Sequence, residues 1–303
     1  MIEKFSVSDA NTFKQCPRKF YYSKVLGYES AVVPKHFVLG NAYDKMLEVY
    51  DKLGFEEAFV QIDGIFKNSH DSAEAEVILK IYHEKYKDSR LPPFTIAGRE
   101  GNQHGFGVAL DKVWVTGYID KVSMGDVGAN EGQLIIVERK TTSEPIEAGS
   151  AYWDKLDLDP QIRAYVWYAS KLHAQTGWVC YEVIRKLSSS YDRKLAKKYD
   201  VPIDEYRSLL ATLKYDKVLV DRRWFFVDKA MTQEFEEEHL TVWETANTPF
   251  LKGKEHEPGS WPKHEGACKD FGGCQFAPIC KRERSFESMV ENGVLTQEKG
   301  RFE

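Results

Sequence analysis

The sequence predicts an α/β fold in which a mixed central β-sheet is flanked by helices. Three observations carry this prediction. Two β-rich runs at residues 113–124 and 133–140 surround a turn, a helical pattern begins at residue 159, and a further strand-like run covers residues 178–185. The order helix, strand, hairpin, helix and strand is typical of a mixed sheet with helices packed on it.

Helices dominate the part of the chain before the hairpin. Ser8 is expected to be the N-cap of a first helix. That helix should end at Cys16, because the residue before Pro17 disfavours helical geometry. A second helix is predicted over residues 36–53, and a helical insertion of two helices over residues 55–90.

A strand within residues 95–110 is expected to lead from this insertion into the hairpin. After the hairpin, Asp159 is a natural N-cap and Pro160 fits the first helical position. That helix is predicted to run to about His173, with Gly177 as its stop. The remaining predicted elements are a helix near residues 203–213, a strand near 218–227 and a long helix over 232–245. Residues 1–281 are predicted to form one domain, and residues 282–303 a flexible tail.

Bulk properties exclude several classes of protein. The 303 residues are 42% hydrophobic and 29% charged, as in ordinary globular proteins. No apolar run reaches the roughly 18 residues that a membrane helix needs, and the N-terminus lacks a signal-peptide core. We therefore expect a cytoplasmic protein without membrane contact. The net charge of −5 means that a nucleic-acid site would need locally concentrated basic groups.

The hairpin brings together residues that suit a metal site. If its turn is centred near Ala129, then Asp120 lies opposite Glu138 on the neighbouring strand. Carboxylates in facing positions lie about 5 Å apart and repel each other unless a cation joins them. Lys140 shares the face of Glu138, whereas Arg139 points to the other face.

This combination of residues fits phosphodiester hydrolysis. Mg²⁺ is usually held by one or two carboxylates, and the metal activates a bound water and stabilises the leaving oxygen. A neighbouring lysine can orient the water, or can shed a proton if its pKa is depressed. The alternative is a surface hairpin with one Glu–Lys pair and an unrelated aspartate.

Three of the five cysteines are closely spaced near the C-terminus. Cys268, Cys274 and Cys280 form a C-x₅-C-x₅-C pattern. Three thiolates need a fourth ligand for a cubane cluster or a tetrahedral zinc ion. Cys16, at a helix end, is a better candidate than Cys180, which is expected to be a buried structural thiol in a strand. The wide spacing favours iron–sulfur over zinc, because zinc sites usually have shorter spacings.

Residues 18–24 mix basic and aromatic side chains. One interpretation is a patch in which Arg18 and Lys19 grip phosphates while the aromatic rings stack on bases. The alternative, slightly favoured for Tyr21 and Tyr22, is a buried aromatic face with solvated basic residues.

Taken in order, these motifs resemble the PD-(D/E)xK nucleases of the RecB type, specifically their iron–sulfur branch. That branch includes the AddB recombination nuclease and the CRISPR-associated adaptation exonuclease, with phage relatives. The resemblance extends over residues 6–281. Its motifs here are CPRKFYY from Cys16, G-x-x-D ending at Asp120, E-x-K at 138–140, Q-x₃-Y at 161–165 and the three C-terminal cysteines.

The resemblance implies a restriction-endonuclease-like core and a role for each matched residue. Asp120 and Glu138, with the backbone carbonyl of Arg139, would bind Mg²⁺ or Mn²⁺, and Lys140 would orient or activate the water. The residues implied to contact DNA near the cut are Gln161 and Tyr165. Cys16, Cys268, Cys274 and Cys280 would hold a [4Fe–4S] cluster.

The chain departs from the family at one position. Where the family has a histidine four residues after the glycine of G-x-x-x-H, this chain has Asp44, four residues after Gly40. We expect Asp44 to complete an all-oxygen site with Asp120 and Glu138, which favours Mg²⁺. The alternative is an ordinary solvated carboxylate on a helix.

The sequence thus predicts a divalent-metal-dependent DNA nuclease, an exonuclease on single-stranded DNA or DNA with free ends. Recombination or CRISPR-adaptation proteins are the implied protein partners. Two alternatives remain open. One is a catalytically weak iron–sulfur DNA-binding protein on the same scaffold, and the other is a zinc-stapled interaction module.

Overall fold

The structure is a computed structural model that describes residues 1–96, 98–125, 131–172, 176–186, 201–213, 218–269 and 273–298. The chain divides into two compact units. Unit 1 comprises Met1–Pro34, Gly105–Gly117 and Lys229–Glu303, and unit 2 comprises Lys35–His104 and Tyr118–Asp228.

The strands are β1 (Tyr28–Ser30), β2 (Asn102–Leu110), β3 (Val113–Met124), β4 (Leu134–Thr142), β5 (Thr176–Arg185), β6 (Val220–Phe226) and β7 (Leu295–Gln297). Within the described residues, five of them form a sheet in the order β2-β3-β4-β5-β6. β4 is parallel to β5 and antiparallel to β3, and β6 is antiparallel to β5. The predicted mixed sheet is therefore confirmed.

The helices are α1 (Val7–Gln15), α2 (Pro17–Phe20), α3 (Lys35–Leu53), α4 (Phe55–Val60), α5 (Ile62–Ile65), α6 (Ser69–Tyr86), α7 (Ala151–Asp157), α8 (Pro160–Leu172), α9 (Ile203–Leu213), α10 (Lys229–Leu251), α11 (Ala277–Cys280) and α12 (Phe286–Glu291). A π-helical turn over Tyr21–Val25 continues α2, and 3₁₀ turns lie at Pro258–Ser260 and Glu265–Cys268. No helix in the described part of the chain is long and apolar enough to cross a membrane.

The β4 strand is the centre of unit 2. Its first four residues, Leu134–Val137, are fully buried, as expected for a strand covered on both faces. Helix α8 contacts β4 and β5, and α3 also contacts β4. Gly40 on α3 lies against β4, since a Cβ there would be 3.4 Å from the Thr141 hydroxyl.

Side chains alternate between the two faces of this sheet. Glu138 is in register with Tyr181, and Arg139 with Glu182. Tyr181 donates to the carbonyl of Leu156 on α7, whereas Glu182 accepts from Tyr82 on α6. Helices α7 and α8 therefore cover the face of Glu138, and the face of Arg139 is turned toward α3 and α6.

Unit 1 has its own aromatic core around Phe20, Trp261 and Phe276. Its first helix begins differently from the prediction, because Ser6 rather than Ser8 is the N-cap. The Ser6 hydroxyl accepts from the Asp9 amide at 3.0 Å, and the Asp9 carboxylate accepts from the Ser6 amide at 3.1 Å. This capping box satisfies two amides at once. The helix ends at Cys16 as predicted.

The predicted loose tail is wrong for the described residues after 281. Helix α12 is capped by Ser285, and β7 pairs antiparallel with β1. Met289 and Leu295 are buried in the core of unit 1. One buried apolar residue in each short element, Met289 in α12 and Leu295 in β7, anchors this otherwise polar segment.

Several element boundaries also differ from the prediction. The first insertion helix is divided into α4 and α5, α7 was not predicted, and α10 extends past its predicted end to Leu251. Gly177 is a strand residue rather than a helix stop, and a Cβ there would lie 2.8 Å from the ring of Phe226. The predicted end of α8 at His173 and the hairpin turn at 126–130 lie outside the described residues. The prediction of a single nuclease domain stays a prediction.

Candidate metal centre and nuclease site

Two carboxylates from neighbouring strands form the centre of the site. Lys121 on β3 pairs with Val137 on β4, and one step further along this antiparallel register Asp120 is level with Glu138. The predicted hairpin register is thus confirmed. The backbone N–H of Arg139 donates to Asp120 Oδ2 at 2.8 Å, which fixes the orientation of that carboxylate.

Glu138 is buried and incompletely paired. Its Oε1 accepts from Lys140 Nζ at 2.6 Å, whereas its buried Oε2 has no hydrogen-bond partner among the described residues. Burial, followed by the charge of Asp120, raises the pKa of Glu138 well above its ordinary value. Burial and then the charge of Asp44 raise the pKa of Asp120 to about 6.

A divalent cation fits this donor set. A buried carboxylate oxygen without a partner costs free energy, and a neighbouring carboxylate adds repulsion. A hard cation bound to Asp120 and Glu138 would remove both costs, and carboxylate oxygens are the ligands that Mg²⁺ takes. Among the described side chains, however, no three His, Cys, Asp or Glu residues are grouped closely enough to form a ready metal site. Two carboxylates therefore form the core of the candidate centre.

Lys140 links these carboxylates to helix α8. Its Nζ donates to Gln161 Oε1 at 3.0 Å and lies 3.6 Å from Asp159 Oδ2. Gln161 in turn donates to the Tyr165 hydroxyl. The predicted residues on β4 and α8 therefore form one connected group, with Lys140 at its centre.

The electrostatics favour a charged lysine. Burial alone would lower the pKa of Lys140, but the carboxylates of Glu138 and Asp159 outweigh it and raise that pKa above its ordinary value. The shift is opposite to the depressed pKa that a proton-shedding lysine requires. Of the two roles considered for Lys140, orienting the water is the one that this geometry supports.

Asp159 is the site residue that sequence reasoning missed. It was recognised only as an N-cap, and its Oδ1 does accept from the Gln161 amide at 2.9 Å. Its second oxygen lies beside Lys140 and within 3.5 Å of the Tyr181 hydroxyl. Its position two residues before the Q-x₃-Y motif is the sequence feature that could have indicated its place in the site.

Asp44 lies beside this centre but has other partners. Its Oδ1 is 3.1 Å from Arg139 Nη1, and its Oδ2 accepts from Gln103 Nε2 at 2.5 Å. Burial raises the pKa of Asp44 despite the opposing charge of Arg139. The charge of Asp44 in turn raises the pKa of Asp120, and Arg139 contacts both carboxylates, Asp44 through its guanidinium and Asp120 through its backbone N–H. Direct ligation by Asp44 stays a prediction.

The opposite face of β4 carries a buried cluster of charges that was not predicted. We call it the back-face cluster; its members are Asp51, Lys121, Arg139, Glu182 and Arg222. Arg139 bonds to Asp51 and Glu182, and Arg222 Nη2 donates to Glu182 Oε1 at 2.6 Å. Burial would raise the pKa of Glu182, but the charges of Lys121, Arg222 and Arg139 outweigh it and hold that pKa far below its ordinary value.

The five cysteines lie in two different units. Cys180 is completely buried on β5, and burial raises its pKa to about 12, so its predicted structural role is supported. The other four lie in unit 1. Burial raises the pKa values of Cys274 and Cys280, and the charge of Cys16 acts on both thiols. The four thiols thus share one region, although the described residues do not form a ready metal-binding group.

The aromatic residues after Cys16 are packed inside the protein. Tyr21 and Tyr22 are buried, so the base-stacking interpretation is wrong for these rings. Arg18 Nε donates to the Trp261 carbonyl at 2.7 Å, and Lys19 Nζ donates to Gln15 Oε1 at 2.9 Å. Both basic residues are half-buried. Their predicted contact with DNA stays a prediction.

Comparisons with known proteins find two solved structures of low similarity and one matching family. No curated protein matches the sequence. Among solved structures, a protein from Eubacterium rectale described as a putative exonuclease is 13% identical, with 94% of this chain and 89% of that chain covered and a TM-score of 0.46. The structure of the protein SSO0001 is 11% identical, with 80% and 93% covered and a TM-score of 0.23. At such TM-scores neither similarity bears on this chain's function.

The family model of the PD-(D/E)XK nuclease superfamily matches residues 4–281. The match spans most of the chain and includes the hairpin, helix α8 and all five cysteines. The chain belongs to the PD-(D/E)XK nuclease superfamily.

Proposed function

We propose that this protein is a divalent-metal-dependent DNA nuclease that acts as an exonuclease on single-stranded DNA or DNA with free ends. The observation that carries the proposal is the unpaired, buried Oε2 of Glu138 beside Asp120, with the Lys140 ammonium on the same face. Family membership supports the nuclease reaction.

Mg²⁺ or Mn²⁺ would be held by Asp120 and Glu138, with Asp44 and the backbone carbonyl of Arg139 as further ligands. When bound, the metal supplies an activated water and stabilises charge on the leaving oxygen. The protein's own groups supply orientation. The Lys140 ammonium, kept charged by Glu138 and Asp159, would orient the attacking water and neutralise charge on the phosphate.

Helix α8 places the substrate. Gln161 and Tyr165 form a hydrogen-bonded pair that extends from Lys140. The half-buried amide of Gln161 can bind the phosphate backbone next to the reacting bond without reading sequence, and the buried Tyr165 would act by holding that amide in place. A misplacement of about 1 Å can cost about 100-fold in rate, which is why a pair fixed to one helix suits the task.

The cleavage test uses end-labelled DNA, single- and double-stranded, linear and circular, with Mg²⁺ or Mn²⁺. Wild type should degrade linear DNA and leave closed circles intact. Lys140→Ala and Glu138→Gln should lower the rate by about 100-fold or more. Lys155→Ala is the matched control, because Lys155 forms an exposed ion pair with Glu144 on the same unit. Wild-type cleavage by Lys140→Ala would contradict the proposal, and cutting of circles would contradict the exonuclease mode.

We also propose that Cys16, Cys268, Cys274 and Cys280 hold a [4Fe–4S] cluster. Their support is that all four lie in unit 1 and that the Cys16 charge acts on Cys274 and Cys280. Burial raises the pKa of both thiols, and the charges of Lys19 near Cys274 and of Lys263 and Arg18 near Cys280 partly offset that rise.

A further inference from the structure

Gln103 has a backbone conformation that its position does not explain. It is the second residue of β2, yet its φ is 49°, in the left-handed region. Such angles are uncommon outside glycine, and the enriched exceptions are Asn, Asp and His rather than Gln. Strained residues persist where the surrounding structure requires them, and they concentrate at functional sites.

The other non-glycine residues with positive φ in the described part of the chain have ordinary reasons for it. Asp111 (φ 52°) lies in the two-residue connection between β2 and β3, and Arg282 (φ 62°) follows the C-terminal end of α11. Hairpin turns and helix ends both favour left-handed residues. Gln103 lies inside a strand and on the protein surface.

The side chain of Gln103 bonds to Asp44, the predicted third ligand of the metal centre. Its Nε2 donates to Asp44 Oδ2 at 2.5 Å, and Arg139 Nη1 lies 3.1 Å from Asp44 Oδ1. The Asp44 carboxylate is therefore held at both oxygens, and Arg139, which holds one of them, also donates its backbone N–H to Asp120 Oδ2 at 2.8 Å. Since each carboxylate oxygen has two acceptor positions, both bonds leave Asp44 able to face a cation.

We propose that Gln103 is a positioning residue of the metal centre. Its strained backbone aims the amide at Asp44, and the amide together with the Arg139 guanidinium fixes the orientation of that carboxylate toward the cation held by Asp120 and Glu138. This inference rests on the proposed metal-dependent function. Groups that orient a metal ligand typically change metal affinity or activity by about 10- to 100-fold when they are removed.

Two substitutions distinguish the effect of the Gln103 side chain from the effect of its strained backbone. Gln103→Asn keeps a residue that tolerates positive φ but is one methylene too short to reach Asp44 in the same way. Gln103→Gly removes the side chain and relieves the backbone. Both variants should bind Mn²⁺ about 10-fold more weakly than wild type. Neither should lower the melting temperature of the metal-free protein.

Gln61→Asn is the matched control. Gln61 is also a glutamine that donates to a carboxylate at 2.5 Å, that of Glu57, but this pair joins neighbouring turns at an exposed helix end. Its substitution should leave Mn²⁺ affinity unchanged.

The experiment is a calorimetric titration of Mn²⁺ into the full-length protein without DNA, for wild type and the three variants. Cleavage rate against Mg²⁺ concentration is a second readout. The half-saturating Mg²⁺ concentration should rise in both Gln103 variants, and the rate at saturating Mg²⁺ should stay close to that of wild type. Unchanged Mn²⁺ affinity in the Gln103 variants would overturn the inference, whether or not the melting temperature changes. A wild type that neither binds Mn²⁺ nor cleaves DNA would overturn the proposed function as well.

Discussion

Asp120 lowers the stability of the metal-free protein at neutral pH, because its charged carboxylate is buried near another carboxylate. In the metal-free protein, burial and the charge of Asp44 raise the pKa of Asp120 from 3.8 to about 6. The folded state therefore binds a proton on Asp120 more tightly than the unfolded state does. The stability that this proton contributes is fully present below about pH 4 and is lost as the pH rises through about 6.

Asp120→Asn should consequently stabilise the metal-free protein at pH 7.5. The neutral amide keeps an oxygen that can accept from the Arg139 N–H but carries no charge to repel Asp44 and Glu138. A shift of about two pKa units corresponds to an upper limit of about 3 kcal/mol, and we expect about 1–3 kcal/mol. Urea denaturation in a chelator at pH 4 and pH 7.5 measures the difference, which should disappear at pH 4.

The exposed Asp204 is the control for this prediction. Its side chain is 88% exposed and pairs with Arg207 within one helix turn. Asp204→Asn should change the free energy of unfolding by less than about 1 kcal/mol at either pH. If wild type and Asp120→Asn were equally stable at pH 7.5, the charge of Asp120 would not be destabilised by its neighbours, and the prediction would be wrong.

At the scale of elements, β4 performs two tasks on its two faces. Glu138 and Lys140 lie on the face of α8 and belong to the proposed reaction site, while Arg139 between them joins the back-face cluster. In that cluster Glu182 is almost completely buried and accepts from Tyr82 and Arg222. Because its charges are fixed by β3, β5, β6, α3 and α6, the cluster restrains the strand that carries the proposed catalytic residues.

Glu182→Ala should therefore destabilise the protein strongly. Removing this carboxylate leaves the cations of Lys121, Arg139 and Arg222 buried with less compensation. Breaking a buried ion pair in this way typically costs about 3–5 kcal/mol. The free energy of unfolding from urea denaturation measures the loss.

The control is a more exposed ion pair between helix α6 and strand β6. Lys85 and Asp221 lie 2.7 Å apart, but their side chains are 42% and 32% exposed. Asp221→Ala should cost at most about 1 kcal/mol. If Glu182→Ala also lost at most about 1 kcal/mol of unfolding free energy, the back-face cluster would contribute little to stability.

For the whole molecule, the proposed cluster would connect distant parts of the chain. Cys16 and Cys268 are more than 250 residues apart in sequence, yet both belong to unit 1. Closing so long a loop through metal–thiolate bonds restricts the unfolded chain and should stabilise the fold.

Five single Cys→Ala variants test the cluster. Loss of Cys16, Cys268, Cys274 or Cys280 should lower bound iron and sulfide and reduce the melting temperature. The fifth variant, Cys180→Ala, should keep full iron content, because its thiol is buried in unit 2. Iron and sulfide analysis with absorbance spectra measures this. Full iron retention in Cys16→Ala would assign the fourth ligand elsewhere, and zinc in place of iron would favour a zinc site.

Local patterns of the sequence determined the reaction site. Alternation along β3 and β4 and the turn between them place Asp120, Glu138 and Lys140 on one face, because side chains in strands alternate and a short turn sets the register. The spacing of Gln161 and Tyr165 on one helix face is equally local. These relations depend only on neighbours in sequence, so they could be predicted.

Only the tertiary structure decided which distant residues complete the site. Asp44, Gln103 and Arg139 meet through contacts between α3, β2 and β4, and Asp159 faces Lys140 because α8 packs on β4. The pairing of β7 with β1 also joins segments that are far apart in sequence, so only the tertiary structure shows it. Periodicity indicates which face of an element is buried, but not which element covers it, because that choice depends on apolar burial and ion pairing over the whole chain.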